Sequence, residues 1–310
     1  VQRWRDPAEV PEQWGRSVVA IGVFDGVHLG HRAIVARATA AAASMHASSV
    51  VVTFDPHPAS VVRPDAAPLL LSDVSQRLDL LSSLGVDATL VLPFDRELAS
   101  WSAEEFVQRL LVDRLHACRV VVGENFRFGN RALGDVALLN RLGSSAGFDV
   151  DAVSLVGGAD DAVSSTLIRG LIADGSVAAA ADALGRPYGV SGVVVRGDAR
   201  GRELGFPTAN IAVPAGVAVP SDGVYAGWLV RADGSRWPAA ISVGSNPTFD
   251  GVDRRVEAYA LDADFDLYDE RITIEFADRL RGMVRFDSID DLVAQMTDDV
   301  AEVRRTVSRG

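Results

Sequence analysis

Short, largely apolar runs recur through the first half of the chain: Val18–Phe24, Val50–Phe54, Ala88–Leu92, Arg119–Gly123 and Val150–Val156. Runs of this length and composition read as buried strands. Between them, His31–Met45, Val74–Leu84, Ala103–Leu115 and Gly134–Leu142 carry apolar residues at helical spacing. Strand and helix in alternation predict an α/β domain, a Rossmann-like parallel sheet with helices on both faces. Ligands of such sheets bind at the carboxyl ends of the strands.

The rhythm changes after Leu184-Gly185-Arg186-Pro187-Tyr188. Short strand candidates now follow one another with Gly and Pro between them: Tyr188–Arg196, Gly223–Val230, Trp237–Val243, Arg255–Leu261 and Arg271–Phe276. A long helical stretch returns only at Ile289–Val307. This pattern predicts a compact antiparallel β-barrel with a terminal helix. The chain therefore reads as two domains, 1–183 and 184–310.

Composition adds little to the fold but narrows the function. With 310 residues and 48% hydrophobic content, two full cores are affordable. No apolar run approaches the length of a membrane span, and the start, Val1 to Asp6, has no apolar signal core. One cysteine, Cys118, cannot form an intrachain disulfide, so a cytoplasmic protein is expected. A net charge of −12 disfavours nucleic acid or an anionic membrane as partner. It leaves room for a nucleotide, which needs only local positive groups and magnesium. Oligomeric state stays open, a homo-oligomer included.

The densest chemistry lies where the first strand turns into a helix, at Asp25-Gly26-Val27-His28-Leu29-Gly30-His31. The first N–H groups of a helix have no intrahelical partner, and the helix dipole adds positive potential there. Residues at i and i+3 share a face, so His28 and His31 can address one phosphate. A zinc pair is the alternative, but a catalytic zinc site needs about three protein ligands. Only His46, His57, His116 and one Cys remain, with no HExxH and no CxxC. Three other segments could converge on the histidines: Thr53–Pro58, Gly123–Gly129, and Ser164–Arg169 at the start of a helix. Alone, Ser-Ser-Thr is an N-cap. With His-x-x-His at another strand end it reads as the second jaw of a triphosphate site. The set suits nucleotidyl transfer, in which an anionic nucleophile needs orientation and charge stabilisation but no general base. A Walker A sequence is missing, as is a Gly-x-Gly-x-x-Gly after the first strand.

In the second half, Gly201–Asn210 (GRELGFPTAN) places Thr208 and Asn210 on one face of an extended segment. Read without any family, it is a turn with polar caps, or two oxygen donors that share a magnesium ion beside a phosphate.

These segments resemble one family closely. Gly22–His31 (GVFDGVHLGH), Thr53–Pro58 (TFDPHP), Asn125–Gly129 (NFRFG) and Ser164–Arg169 (SSTLIR) are similar, in order and spacing, to the bacterial bifunctional riboflavin kinase/FMN adenylyltransferases, also called FAD synthetases. The likeness continues through Gly201–Asn210, Pro220–Ala226 (PSDGVYA), Asn246–Phe249 (NPTF), Val256–Tyr259 (VEAY) and Phe286–Ser288 (FDS). It implies an N-terminal nucleotidyltransferase domain that adenylylates FMN to FAD and a C-terminal barrel that phosphorylates riboflavin to FMN. His28, His31, Ser165, Thr166 and Arg169 would bind ATP in the first, with the two histidines also catalytic. Asn125 would help place the flavin or nucleotide. The likeness reaches Asp55 and Arg63, while His57, between two prolines, reads equally as structural. In the barrel, Thr208 and Asn210 would hold magnesium and ATP, Glu257 would be the general base, and Arg281 would contact the flavin. Glu257 could instead be a strand residue paired with Arg254 or Arg255. The implied partners are riboflavin, FMN, FAD and ATP, with Mg2+ serving both steps. Arg196, Ser245 and Arg285 stand where His, Thr and Lys are usual. Two rival readings are a chain with one active module and a flavin sensor without activity. The Gly-rich segment 196–205 is the expected mobile part.

Overall fold

The computed structural model describes residues 1–154, 156–157, 162–197, 204–248, 251–263 and 265–308, with backbone alone at 246–248 and 251–253. Residues 198–203, the centre of the expected mobile segment, lie outside the described residues. Contacts divide the chain into two compact units, Val1–Pro68 with Val74–Ser164, and Leu69–Asp73 with Ser165–Gly310.

The first unit holds a six-stranded sheet: β1 (Gln2–Trp4), β2 (Ser17–Ile21), β3 (Ser48–Asp55), β4 (Ala88–Pro93), β5 (Ala117–Gly123) and β6 (Asp149–Val153). Their order is β1-β4-β3-β2-β5-β6, and every pairing is parallel. The expected parallel α/β sheet is therefore present, with one edge strand, β1, that its three residues were too few to announce. Period two explains the two cores. Val19, Ile21, Val50, Val52, Leu90, Val120 and Val122 face one cluster, which the helical stretch Ala103–Phe106 and Val107–Val112 covers with Phe106, Leu110 and Leu111. Val18, Ala20, Val51 and Val121 face the other, against Val35, Ala38 and Ala42 of the helix Leu29–Met45. Strand order reverses between β2 and β5, which opens a crevice beyond their carboxyl ends.

The second unit is a closed barrel of β7 (Tyr188–Val195), β8 (Ala209–Ala212), β9 (Gly223–Val230), β10 (Arg236–Thr248), β11 (Gly251–Ala260) and β12 (Arg271–Arg281), in the order β10-β11-β8-β7-β12-β9. Every pairing is antiparallel. Closure removes the exposed edges that an open sheet would leave. Three strands run longer than their apolar patterns: β10 continues to Thr248, β11 begins at Gly251, and β12 continues past Phe276 through register shifts. In β12 bulges let the strand bend around the barrel while its side chains change face, so alternation ends before the strand does. β8, Ala209–Ala212, is only four residues long, too short to be recognised as a strand. Gly227 shows how tightly β9 and β12 approach, because a Cβ there would overlap the Glu275 carbonyl.

Three pieces dress this barrel. The terminal helix Ile289–Val307 packs Val303 against Ala226 and Leu261. The helices Ser165–Asp174 and Val177–Leu184 pack on each other, and the latter lies against β7 and β12. The short segment Leu69–Asp73 is stitched on through Leu70, whose N–H donates to Gly216 (2.7 Å) and whose carbonyl accepts from Ala218 (2.8 Å).

Candidate functional sites

β2 ends at Ile21, and the chain then turns sharply before the helix Leu29–Met45. Phe24 (φ 52°), Gly26 (φ 77°) and Val27 (φ 42°) all adopt left-handed backbone. Glycine takes such angles freely. A β-branched valine does so only under strain of about 1–3 kcal/mol, and such strain concentrates at functional sites. Both Phe24 and Val27 are buried, which holds the turn in place.

The turn delivers two imidazoles to the helix N-terminus. His28 is the N-cap, and its Nδ1 accepts from the His31 N–H at 3.4 Å. That acceptance leaves the proton of a neutral His28 ring on Nε2, as a donor. The rings of His28 and His31 stack with centroids 3.6 Å apart, and Phe24 meets His31 edge-on at 5.2 Å. Gly30 makes room for the stack: a Cβ there would lie 3.1 Å from the His28 ring. His28 is buried, and Nδ1 of His31 is sealed from solvent with no hydrogen-bond partner among the described residues.

Burial, then the charges of His28 and Arg77, hold the His31 imidazole well below the ordinary histidine range. His31 is thus neutral in the folded chain near pH 7, whereas in the unfolded chain it gains a proton near pH 6.5. Lowering the pH through that value favours the unfolded state, by up to about 1.4 kcal/mol per pH unit for this group. The loss ends once the folded His31 is itself protonated. Chemical unfolding followed from pH 8 to pH 5 should show this slope, and His31→Gln should flatten it relative to the parent chain.

The end of β5 brings Asn125 to the same side of the sheet. A Cβ on Gly123 would lie 3.3 Å from Asn125 Oδ1 and 3.6 Å from Ile34 of the helix that His28 caps. Phe126 and Phe128 stack at 5.5 Å and anchor the segment. His57 caps the short helix Pro58–Val62, its Nδ1 accepting from Ala59 N at 3.0 Å. Ser165, Thr166 and Arg169 belong to the other unit, in the first turns of the helix Ser165–Asp174. Arg169 Nε donates to the Leu69 carbonyl at 2.6 Å.

The barrel carries a second constellation. In the strand register Asn210 of β8 stands opposite Glu257 of β11, and Glu257 stands opposite Ser242 of β10. Glu257 opens onto a cavity of about 300 Å3 that is also lined by Phe206, Thr208, Tyr259, Arg281 and Met296. Thr208 lines a further cavity of about 450 Å3 with Ala258, Phe265 and Tyr268. One residue thus borders two cavities, as a site that joins two substrates requires. Arg254 donates instead to the carbonyls of Val219 (2.7 Å) and Pro220 (3.1 Å). Arg281 is held at the cavity wall by a bidentate pair with Asp299 of the terminal helix, Nε–Oδ1 2.9 Å and Nη2–Oδ2 2.7 Å. Gln295 donates to the same carboxylate at 3.0 Å. Sequence reading missed Phe206, Tyr259 and Asp299 as site residues. Phe206 and Tyr259 sit inside the quoted motifs, but Asp299 joins the wall only through the docking of a distant helix.

Among the described residues no group of three or more His, Cys, Asp or Glu could hold a metal. Thr208 and Asn210 offer neutral oxygen donors, which fits magnesium arriving with nucleotide phosphates and most of its waters rather than held in a protein cage. No helix among the described residues is long and apolar enough to cross a membrane.

Comparison with known proteins gives two family matches and several similar chains. A family model for FAD synthetase matches residues 10–167, and one for riboflavin kinase matches residues 184–307. The bifunctional riboflavin kinase/FMN adenylyltransferase of Escherichia coli (strain K12) is 36% identical over 93% of this chain and 91% of its own length. That of Pseudomonas fluorescens is 39% identical over 95% and 94%. A solved structure named as a macrolide-efflux protein from Streptococcus pneumoniae aligns with a TM-score of 0.87 at 33% identity, covering 97% of this chain and 98% of that one.

Proposed function

The chain belongs to the bifunctional riboflavin kinase/FMN adenylyltransferase family, and from that premise we propose how its residues divide the two reactions. In the barrel, residues 184–310 transfer the γ-phosphate of ATP to riboflavin and release FMN and ADP. In the first domain, residues 1–183, FMN attacks the α-phosphate of a second ATP, giving FAD and pyrophosphate. The observation that carries the kinase reading is Thr208, which borders both barrel cavities beside Asn210 and Glu257.

Each step makes a different demand. The ribityl hydroxyl of riboflavin must lose a proton as it attacks, and Glu257 is the base within the flavin-sized cavity. Phe206 and Tyr259 meet edge-on at 5.4 Å and give that cavity the aromatic wall a tricyclic ring needs. Thr208 and Asn210 would hold magnesium with the ATP phosphates, and bound magnesium would supply neutralisation of phosphate charge in both reactions. FMN is already an anionic nucleophile, so the first domain supplies donors rather than a base. His28 and His31 act on the phosphates at the helix N-terminus. Ser165, Thr166 and Arg169 are further ATP ligands, and Asn125 a ligand of flavin or nucleotide. Arg281, fixed by Asp299, borders the flavin cavity. Soluble flavins and ATP, with no nucleic acid and no membrane, complete the set, in keeping with a cytoplasmic enzyme.

The purified chain should convert riboflavin, ATP and magnesium first to FMN and then to FAD, followed by chromatography of the flavins over time. FMN alone would remove the second activity, and no new flavin would remove both.

A further inference from the structure

Arg77 is among the most deeply buried side chains of the first unit, 1% exposed, on the helix Val74–Ser82. Burying a guanidinium is costly, so its placement needs a reason. One of its terminal nitrogens donates to the Phe54 carbonyl at 2.9 Å and to Thr53 Oγ1 at 3.2 Å. The Thr53 hydroxyl in turn donates to the Val23 carbonyl at 2.8 Å. The guanidinium therefore ties together the carboxyl end of β3 and the chain just beyond β2. Val23 immediately precedes Phe24, the first residue of the strained turn that leads to His28. A turn with valine and phenylalanine in left-handed backbone persists only where its surroundings over-determine it.

We propose that Arg77 is a positioning residue for adenylyl transfer: acting through Thr53, it pins the start of the strained turn that presents His28 and His31. The inference rests on reading the two histidines as phosphate ligands. Arg77 touches no reacting atom in this account. Its charge has a second consequence, since it acts with His28 to disfavour a proton on His31.

Full-length Arg77→Met, Arg77→Lys, Thr53→Val and His28→Ala chains test this, with FMN adenylylation and riboflavin phosphorylation measured on each preparation. Misplacing catalytic groups by about 1 Å can cost about 100-fold. Arg77→Met should accordingly lose about 100-fold in kcat for adenylylation while its kinase rate matches the parent. Arg77→Lys keeps the charge but not the fork, so kcat should fall while the His31 titration midpoint, read by NMR, stays near the parental value. In Arg77→Met that midpoint should rise, a change that a packing role would not produce. Adenylylation at the parental rate in Arg77→Met overturns the proposal. Should Arg77→Met fail to fold, with both activities lost, the near-isosteric Thr53→Val decides: reduced adenylylation with an intact kinase supports the pinning role, and parental adenylylation overturns it. Full FAD formation by His28→Ala would instead overturn the reading of the histidines, and the role of Arg77 with it.

Discussion

Glu257→Gln should bind riboflavin and fail to phosphorylate it. The substitution keeps the volume and the hydrogen-bonding reach of the side chain, so the cavity between Phe206, Tyr259 and Arg281 stays intact. It removes only the capacity to accept a proton. A positioned general base contributes about 10²–10⁴-fold, and kinase kcat should drop within that range. Because the base acts only as the hydroxyl attacks, kcat and kcat/KM should fall together. Riboflavin binding, followed by quenching of flavin fluorescence, should remain. Adenylylation of supplied FMN should continue at the parental rate, since Glu257 stands in the barrel unit and His28 in the other. Unchanged kinase turnover would sink the role given to Glu257.

His28→Ala should cut FAD formation by about 10²–10³-fold, the usual consequence of losing one well-aimed donor to developing charge. FMN formation should continue, so FMN should accumulate in a reaction started from riboflavin. Alanine also removes the N-cap of the helix Leu29–Met45, which costs about 1 kcal/mol of stability. His28→Asn separates the two effects. Asparagine is a good cap but has no ring to stack on His31, so stability should return while FAD formation stays low. Equal loss of both activities in His28→Asn would undo the assignment of the reactions to separate units.

The two folds were legible for different reasons. β2, β3, β4 and β5 are largely buried on both faces, so their apolar residues cluster in short runs that stand out from their neighbours. The barrel strands declared themselves by spacing and by glycine, but their ends did not. β12 continues to Arg281 because bulges bend it around the barrel, and nothing in an apolar pattern records a bulge. β8 holds a single buried residue, Ile211, yet it aligns Asn210 with Glu257.

The same boundary runs through the sites. Local chemistry marked His28 and His31, since a helix start, two glycines and two imidazoles lie within seven residues. The family likeness marked Thr208, Asn210 and Glu257. Sequence alone thus determined the order of the domains, the strand–helix rhythm and the motifs, because each depends on residues close together in the chain. Tertiary structure alone decided what meets across distance. It set Thr208 at the border of two cavities, fixed Arg281 by Asp299 from the terminal helix, and buried Arg77 behind the turn that carries the histidines. Such contacts join residues far apart in sequence through strand register and helix docking, and those are set by the packing of the whole unit rather than by any local pattern.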